Sequence, residues 1–309
     1  MEFEVTILGT SSALPTSERY PTAQVLNVLG QFFLIDCGEG TQIQMRKSNI
    51  SLQKINQIFI SHLHGDHYFG IFGYLSSLSL LGRTKELQIF GPKGLKNIIE
   101  QHLAVTQIIL SFSLDIFEFE FKQGERAYIF ENNVMKVAAF ELKHSIPCLG
   151  FVFEEVERKR KIIKDKIDEY KIPIKALSSL QEGKDFITSK GEIIKNELLT
   201  NPPLPSRKYA FCTDTSYYPS IVPFIYKADL LYHETTFLEK DKERANKTGH
   251  STTLDAGKIA KQAKVKKLLV GHYSTRYGKI EPFLEETVKL FENTTLAKEG
   301  LRISIPLQN

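Results

Sequence analysis

The sequence predicts a layered α/β protein. Short β-rich runs recur along the chain, most of them bounded by Gly, Pro, Asp or Ser, and stretches with helical apolar spacing lie between them. The first such run is Val5 to Leu8, followed by Phe32 to Ile35, Gln57 to Ile60, Leu87 to Phe90 and Val134 to Phe140. Gly40 to Lys47 suggests a short helix, and Gly94 to Leu103 reads apolar at Leu95, Ile98, Ile99 and His102/Leu103, the spacing of one helix face. The second half repeats the style, with strands at Tyr209 to Thr213, Leu230 to Tyr232 and Lys267 to Val270 running into polar loops. A helix over Leu254 to Ala263 follows Ser251, Thr252 and Thr253, which could cap it. No fixed-period repeat interrupts this pattern.

The 309 residues suit a single domain, 1–309, large enough to bury its own core without disulfide support. With 42% apolar and 25% charged residues the balance is that of an ordinary globular chain. The run Ile71 to Leu81 is broken by Gly73, Tyr74 and serines, well short of the ~20 apolar residues a membrane span needs. Met1 to Leu8 carries two glutamates and strand-like alternation rather than a basic, then apolar, secretory leader, so a cytoplasmic protein with no membrane partner is expected. Cys37, Cys148 and Cys212 stand far apart and in no Cys-x-x-Cys pair, the pattern of buried free thiols. The net charge of +4 is too small to argue for nucleic acid by itself.

Local charge makes a different case. Between Phe153 and Arg207 the character of the chain changes, and Asn201-Pro-Pro-Leu-Pro205 ends the stretch with residues that cannot continue regular structure. From Arg158 to Lys175 eight basic residues face three acidic ones, a local excess of +5. Such a run is either a solvated helical face or a protruding phosphate-binding arm, here bounded at 154–205.

The strongest chemical signal is Ser61-His-Leu-His-Gly-Asp-His67, in the loop directly after the strand Gln57 to Ile60. Loops at strand ends host active sites in layered α/β folds. Three imidazoles and a carboxylate within six residues offer the nitrogen and oxygen donors that zinc and similar ions prefer. A tight loop can aim His62 and His64 at one ion and Asp66 and His67 at another. Further donors stand where other strands end: His144, Asp214 and His272. Three protein donors per ion, with a shared carboxylate and water, leave the open position of a catalytic site.

These motifs resemble the metallo-β-lactamase superfamily and, within it, the ribonuclease Z family of tRNA 3′-processing endoribonucleases. The resemblance runs nearly end to end: Leu8-Gly-Thr-Ser-Ser-Ala-Leu-Pro15, Asp36-Cys-Gly-Glu-Gly-Thr-Gln42, the His/Asp cluster, Phe90-Gly-Pro92, His233-Glu-Thr-Thr236 and His250-Ser-Thr252. The cluster alone names the superfamily; the opening segment, the Asp36 turn and the last two motifs narrow it to the tRNA-processing branch. The resemblance implies an αββα sandwich with an inserted flexible arm. It implies two Zn2+ per subunit, with Mn2+ or another divalent ion as substitutes. His62, His64 and His144 would ligate one ion, Asp66, His67 and His272 the other, and Asp214 would bridge both. Asp36 would support the site, while as a turn carboxylate it could also cap the helix at Gly40 to Lys47.

In the same resemblance Asp66 also orients or deprotonates the attacking water, and Glu234 holds His250, which protonates the leaving 3′ oxygen. The family's usual His-Glu-Ala-Thr becomes His-Glu-Thr-Thr here, which adds a hydroxyl at Thr235 and removes no titratable group. The partner implied is precursor tRNA, gripped through the arm by Arg158, Lys159, Arg160, Lys161, Lys164 and Lys175. The arm keeps a proline at Pro173 and a glycine at Gly183 but lacks the family's Gly-Pro element. The enzyme would be a homodimer in which one subunit's arm serves the other's site, leaving a 3′ hydroxyl on the tRNA and a 5′ phosphate on the trailer. Rival readings are a small-molecule phosphodiesterase of the same fold, against which the basic arm argues, and a flavodiiron-type oxidoreductase, for whose flavin domain the 37 residues after His272 are too few. A catalytically dead binding protein of this fold would have lost ligand positions, and all seven are filled.

Overall fold

The computed structural model describes residues 2–307. Beside six two-residue strands, its longer strands are β1 Phe3–Gly9, β2 Ala23–Val28, β3 Gln31–Ile35, β4 Ile55–Phe59, β5 Leu87–Pro92, β6 Leu114–Phe119, β7 Arg126–Glu131, β8 Met135–Leu142, β9 Cys148–Glu155, β10 Lys208–Cys212, β11 Leu230–Glu234, β12 Leu268–Gly271, β13 Thr294–Leu296 and β14 Arg302–Ser304. They form two seven-stranded sheets. One has the order β14-β1-β2-β3-β4-β5-β6 and the other β13-β12-β11-β10-β9-β8-β7. Pairing is parallel from β3 to β6 and from β10 to β13, and antiparallel where β1 meets β2 and β14.

Side-chain alternation sorts each strand between two cores. Phe33 and Ile35 of β3, Phe59 of β4, Phe211 of β10 and Tyr232 of β11 enter the layer between the sheets. Their neighbours Leu34 and Ile58 face the helices Thr41–Lys47, Gly70–Leu80 and Leu95–Thr106, while Ala210 and Leu231 face Thr253–Gln262 and Glu281–Thr287. Both faces of the central strands are therefore buried, which is why they read as nearly continuous apolar runs. The layers follow the αββα order that the resemblance implies.

Every strand expected from the sequence is present within one or two residues, and β2, β6, β7, β9, β13 and β14 are additional. The capping expectation also holds: Thr252 accepts from the backbone of Asp255, whose carboxylate accepts from the Thr252 backbone. Cys37, Cys148 and Cys212 are buried and free. Among the described residues no helix is long and apolar enough to cross a membrane.

The chain divides into two compact units, one comprising the chain up to Glu154 with Lys208–Ile305 and the other containing Glu155–Arg207. The second has its own small core of Ile172, Leu180, Phe186 and Leu199. Its two ends are tied to each other: Arg207 grips the Glu155 carboxylate through Nε at 2.9 Å and a terminal nitrogen at 2.6 Å, and Arg158 adds a third contact at 2.9 Å. Glu155 is held below its ordinary pKa because these bonds to Arg207 and Arg158 outweigh its burial. A buried, bidentate pair of this kind fixes the geometry between the two ends of this unit.

Phe59 marks the point where core packing positions chemistry, because its strand leads directly into the His/Asp loop. Its ring stacks on Phe90 at 4.9 Å and meets Phe153 edge-on at 5.2 Å. Phe59→Ala is expected to cost about 3–5 kcal/mol of stability, read as a lower urea midpoint. A midpoint within error of the wild type would contradict this account of the core.

Candidate metal centre

The predicted donors converge from loops of both sheets, all at strand C-terminal ends. His62, His64, Asp66 and His67 sit on the loop after β4, which turns into the one-turn helix Gly65–Tyr68. His144 follows β8, Asp214 follows β10 and His272 follows β12. His62, His64, His144 and Asp214 each offer an atom within 4.8 Å of the others, and so do Asp66, His67 and His272.

The spacing suits divalent ions. His64 Nδ1 lies 3.1 Å from His62 Nε2 and 3.2 Å from His144 Nε2. Nitrogens about 2.0–2.1 Å from a tetrahedral zinc would be roughly 3.3 Å apart. Asp214 faces both groups with separate oxygens: Oδ2 is 3.6 Å from His62 Nε2 and 3.7 Å from His144 Nε2, whereas Oδ1 is 3.4 Å from His67 Nε2 and 3.1 Å from His272 Nε2. Asp66 Oδ2 is 3.3 Å from His67 Nε2 and 3.5 Å from His272 Nε2. Those last two nitrogens are buried without a hydrogen-bond partner. Two orphaned imidazole nitrogens aimed between two carboxylates are what a cation would satisfy.

The other ring nitrogens are pinned from behind. His62 Nδ1 pairs with Ser61 Oγ at 3.0 Å, His67 Nδ1 with Asp36 Oδ2 at 2.8 Å, His144 Nδ1 with the Gly249 carbonyl at 2.9 Å and His272 Nδ1 with Thr236 Oγ1 at 2.8 Å. Asp36 also accepts from the Ser61 backbone at 2.7 Å and from its hydroxyl at 2.9 Å. The expected cap is corrected here: the helix begins at Thr41 behind Gly40 with no side-chain cap, and the Asp36 carboxylate is wholly committed to Ser61 and His67. Gly38 lets this turn pass close to the cluster, since a Cβ there would lie 2.4 Å from the Asp66 carbonyl oxygen.

Glu234 and His250 form the neighbouring pair. His250 Nδ1 lies 2.8 Å from Glu234 Oε1, and Glu234 accepts four further bonds from the Thr215, Ser251 and Thr236 backbones and the Thr236 hydroxyl. Thr236 thus touches both His272 and Glu234, and Ser61 touches Asp36 and His62; neither role was assigned from the sequence, although both residues lie inside the motifs. The extra hydroxyl of Thr235 is absorbed by the Gly271 carbonyl at 3.3 Å.

Of the nine described non-glycine residues with left-handed φ, three lie at this centre. Ala13, Asp36 and His272 hold left-handed φ values of 61°, 55° and 62°. Such conformations cost non-glycine residues roughly 1–2 kcal/mol each and persist where the surroundings impose them. Ala13 uses its turn to donate its N–H to Asp66 Oδ2 at 2.7 Å.

Burial lowers the pKa of His62 and His64, leaving neutral rings with free lone pairs. At His67 burial acts in the same direction, but Asp66, Asp214 and Asp36 outweigh it and hold a proton on the ring. A divalent cation would replace that proton, as metal binding generally does. His250 is raised to about 9: burial opposes the shift, and the contact with Glu234 and the charge of Asp214 overcome it.

The sequence-predicted arm residues lie in the compact unit Glu155–Arg207. Lys159, Lys161, Lys164 and Lys175 are exposed there. Arg158 is half-buried against Glu155, and Arg160 donates from Nε to Thr200 Oγ1 at 2.7 Å, so both serve the unit's own structure.

A family model described as Anti-Pycsar protein Apyc1 matches residues 3–167, just over half of the chain. Ribonuclease Z of Bacteroides thetaiotaomicron is 45% identical over 304 residues, covering 98% of this chain and 96% of that protein. The crystal structure of human tRNase Z, short form, superposes with a TM-score of 0.72 at 28% identity, over 98% of this chain and 99% of the other. The metallo-β-lactamase fold protein YhfI from Bacillus subtilis, at 19% identity, matches with a TM-score of 0.68 over 98% and 100% of the two chains. The fold is therefore the metallo-β-lactamase fold.

Asp36→Asn keeps the shape of the side chain but removes the charge that faces His67 and Ser61. Affinity for divalent metal is expected to fall roughly 10- to 100-fold, measured by competition with a chromophoric chelator. Unchanged affinity would mean that Asp36 does not orient the cluster.

Proposed function

The chain belongs to the ribonuclease Z family end to end, and over residues 3–167 to the family of the Apyc1 model; as a ribonuclease Z it is an endoribonuclease of tRNA 3′ processing, and we propose how this site performs that reaction. The Apyc1 match ends before Asp214, Glu234, His250 and His272, whereas the full-length relatives span all of them, so the activity is read from the latter. The observation that carries the proposal is Asp214, one carboxylate facing two histidine groups with separate oxygens.

In this reading His62, His64 and His144 would hold one zinc, Asp66, His67 and His272 would hold a second, and Asp214, which faces both groups, would serve both; manganese could substitute. Two such ions, when bound, would supply charge neutralisation at the phosphate and a water acidic enough to ionise near neutral pH. Asp66, fixed by the Ala13 N–H, would orient or deprotonate the attacking water. As water oxygen joins phosphorus, the bond to the 3′ oxygen of the tRNA breaks, and His250 donates a proton to the departing oxygen. Glu234 keeps His250 charged and aimed. The products are a 3′ hydroxyl on the tRNA and a 5′ phosphate on the trailer.

A tRNA is gripped far from the cut. Residues 154–205 form the arm that does so, with Lys159, Lys161, Lys164 and Lys175 against phosphates and Arg158 and Arg160 behind them. The working enzyme is a cytoplasmic homodimer in which each arm serves the partner's site.

The direct test is cleavage of an end-labelled precursor with a 3′ trailer, with metal and with chelator. One chelator-sensitive cut after the discriminator nucleotide, leaving a 3′ hydroxyl, supports the reading; absence of cleavage alongside rapid hydrolysis of a small phosphodiester would leave a different substrate.

His250→Ala is expected to retain both metals by elemental analysis while slowing single-turnover cleavage about 10²- to 10⁴-fold. An unchanged rate would remove His250 from proton transfer. Changing Lys159, Lys161, Lys164 and Lys175 together to Glu should raise KM for the precursor and flatten the salt dependence by roughly 0.7–0.9 in log–log slope for each phosphate that is no longer neutralised. Equal KM and slope would show that the arm does not grip the substrate.

A further inference from the structure

A cleft of about 520 Å3 opens over the centre, with Leu14 and Phe69 on its walls beside His64, Asp66, Asp214 and His250. Phe69 is 56% exposed and Leu14 62%. A scattered exposed hydrophobe needs no explanation, but this ring is seated. A Cβ at Gly65 would lie 2.3 Å from a Phe69 ring carbon, so the ring rests on bare backbone between His64 and Asp66. The Phe69 N–H donates to the Gly65 carbonyl at 2.9 Å, and the Tyr68 ring meets Phe69 edge-on at 5.1 Å. One part of the ring is thus fixed on the turn that supplies three of the donors, and the rest is open to the cleft.

Phe69 has no donor atom and belongs to none of the buried cores. What an exposed, immobilised aromatic surface at a phosphodiester-cleaving centre can bind is another flat apolar surface. Nucleobases stack on such rings without regard to sequence. We propose that Phe69 is the stacking platform for the unpaired nucleobase next to the scissile phosphate, with Leu14 as the opposing lip. The inference rests on the RNA-cleaving reading above and adds to it a residue that positions the substrate by its base while the metal centre acts on its phosphate.

The test pairs Phe69→Ala and Phe69→Leu with precursor tRNAs made abasic, one position at a time, on either side of the cut. Single-turnover cleavage is followed at subsaturating enzyme, with metal content and thermal midpoint as controls on folding. For the stacked position, the variants and the abasic change should each slow cleavage roughly 5- to 100-fold. Combining them should slow it no further, and Phe69→Trp should restore the intact precursor's rate. Multiplicative losses at both positions, or wild-type rates for Phe69→Ala on the intact precursor, would overturn the proposal. If the wild-type enzyme fails to cut the intact precursor, the RNA reading itself fails, a result distinct from a Phe69 variant that cuts normally.

Discussion

The donor cluster is arranged around a buried carboxylate that needs positive charge. Asp214 is drawn well below its ordinary pKa although burial opposes ionisation, because His272, His67, His62 and His250 surround it. Asp36 and Glu234 are also fully buried and Asp66 is mostly so. Uncompensated, such a group of charges would be costly in a low-dielectric interior. Each carboxylate faces imidazole, backbone N–H or hydroxyl partners, and His67 Nε2 and His272 Nε2, between Asp66 and Asp214, make no hydrogen bond. A divalent cation held there would complete the electrostatics of the site.

The sandwich makes that convergence possible. Parallel pairing of β3 with β4 and of β10, β11 and β12 with one another brings the C-terminal ends of strands to one rim, and the layer between the sheets brings two rims together. Loops of modest length then suffice to place donors from both sheets within a few ångströms. The left-handed residues at Ala13, Asp36 and His272 show that the loops reach these positions under strain, held by bonds to Asp66, Ser61 and Thr236. Phe69 extends the same economy: the glycine that tightens the His64–Asp66 turn also gives the ring its seat.

Much of this was legible in the sequence because it is local. The His62–His67 cluster follows an apolar strand, and His144, Asp214 and His272 each end one, so donor identity and placement follow from short segments. The central strands β3, β4, β11 and β12 stood out because both of their faces are buried. β6 and β7 did not: these edge strands carry no fully buried residue, Leu114–Phe119 mixes apolar with acidic residues, and Arg126–Glu131 holds only a short apolar run between charged ends. Ala23–Val28 was missed for another reason, its apolar pattern being interrupted by Gln24 and Asn27. Long-range partners were equally hidden: Asp36 reads as a helix cap in its own turn, and only tertiary structure commits it to Ser61 and His67. The pairing of Glu155 with Arg207, 52 positions apart, has no local signature.

The claim on which the rest depends is that Asp214 joins two metal sites. Anomalous diffraction from crystals grown with zinc tests it most directly. Two zinc peaks about 3.5–4 Å apart, with one Asp214 oxygen on each, are the predicted result; a single peak, or two ions without Asp214 between them, would contradict it.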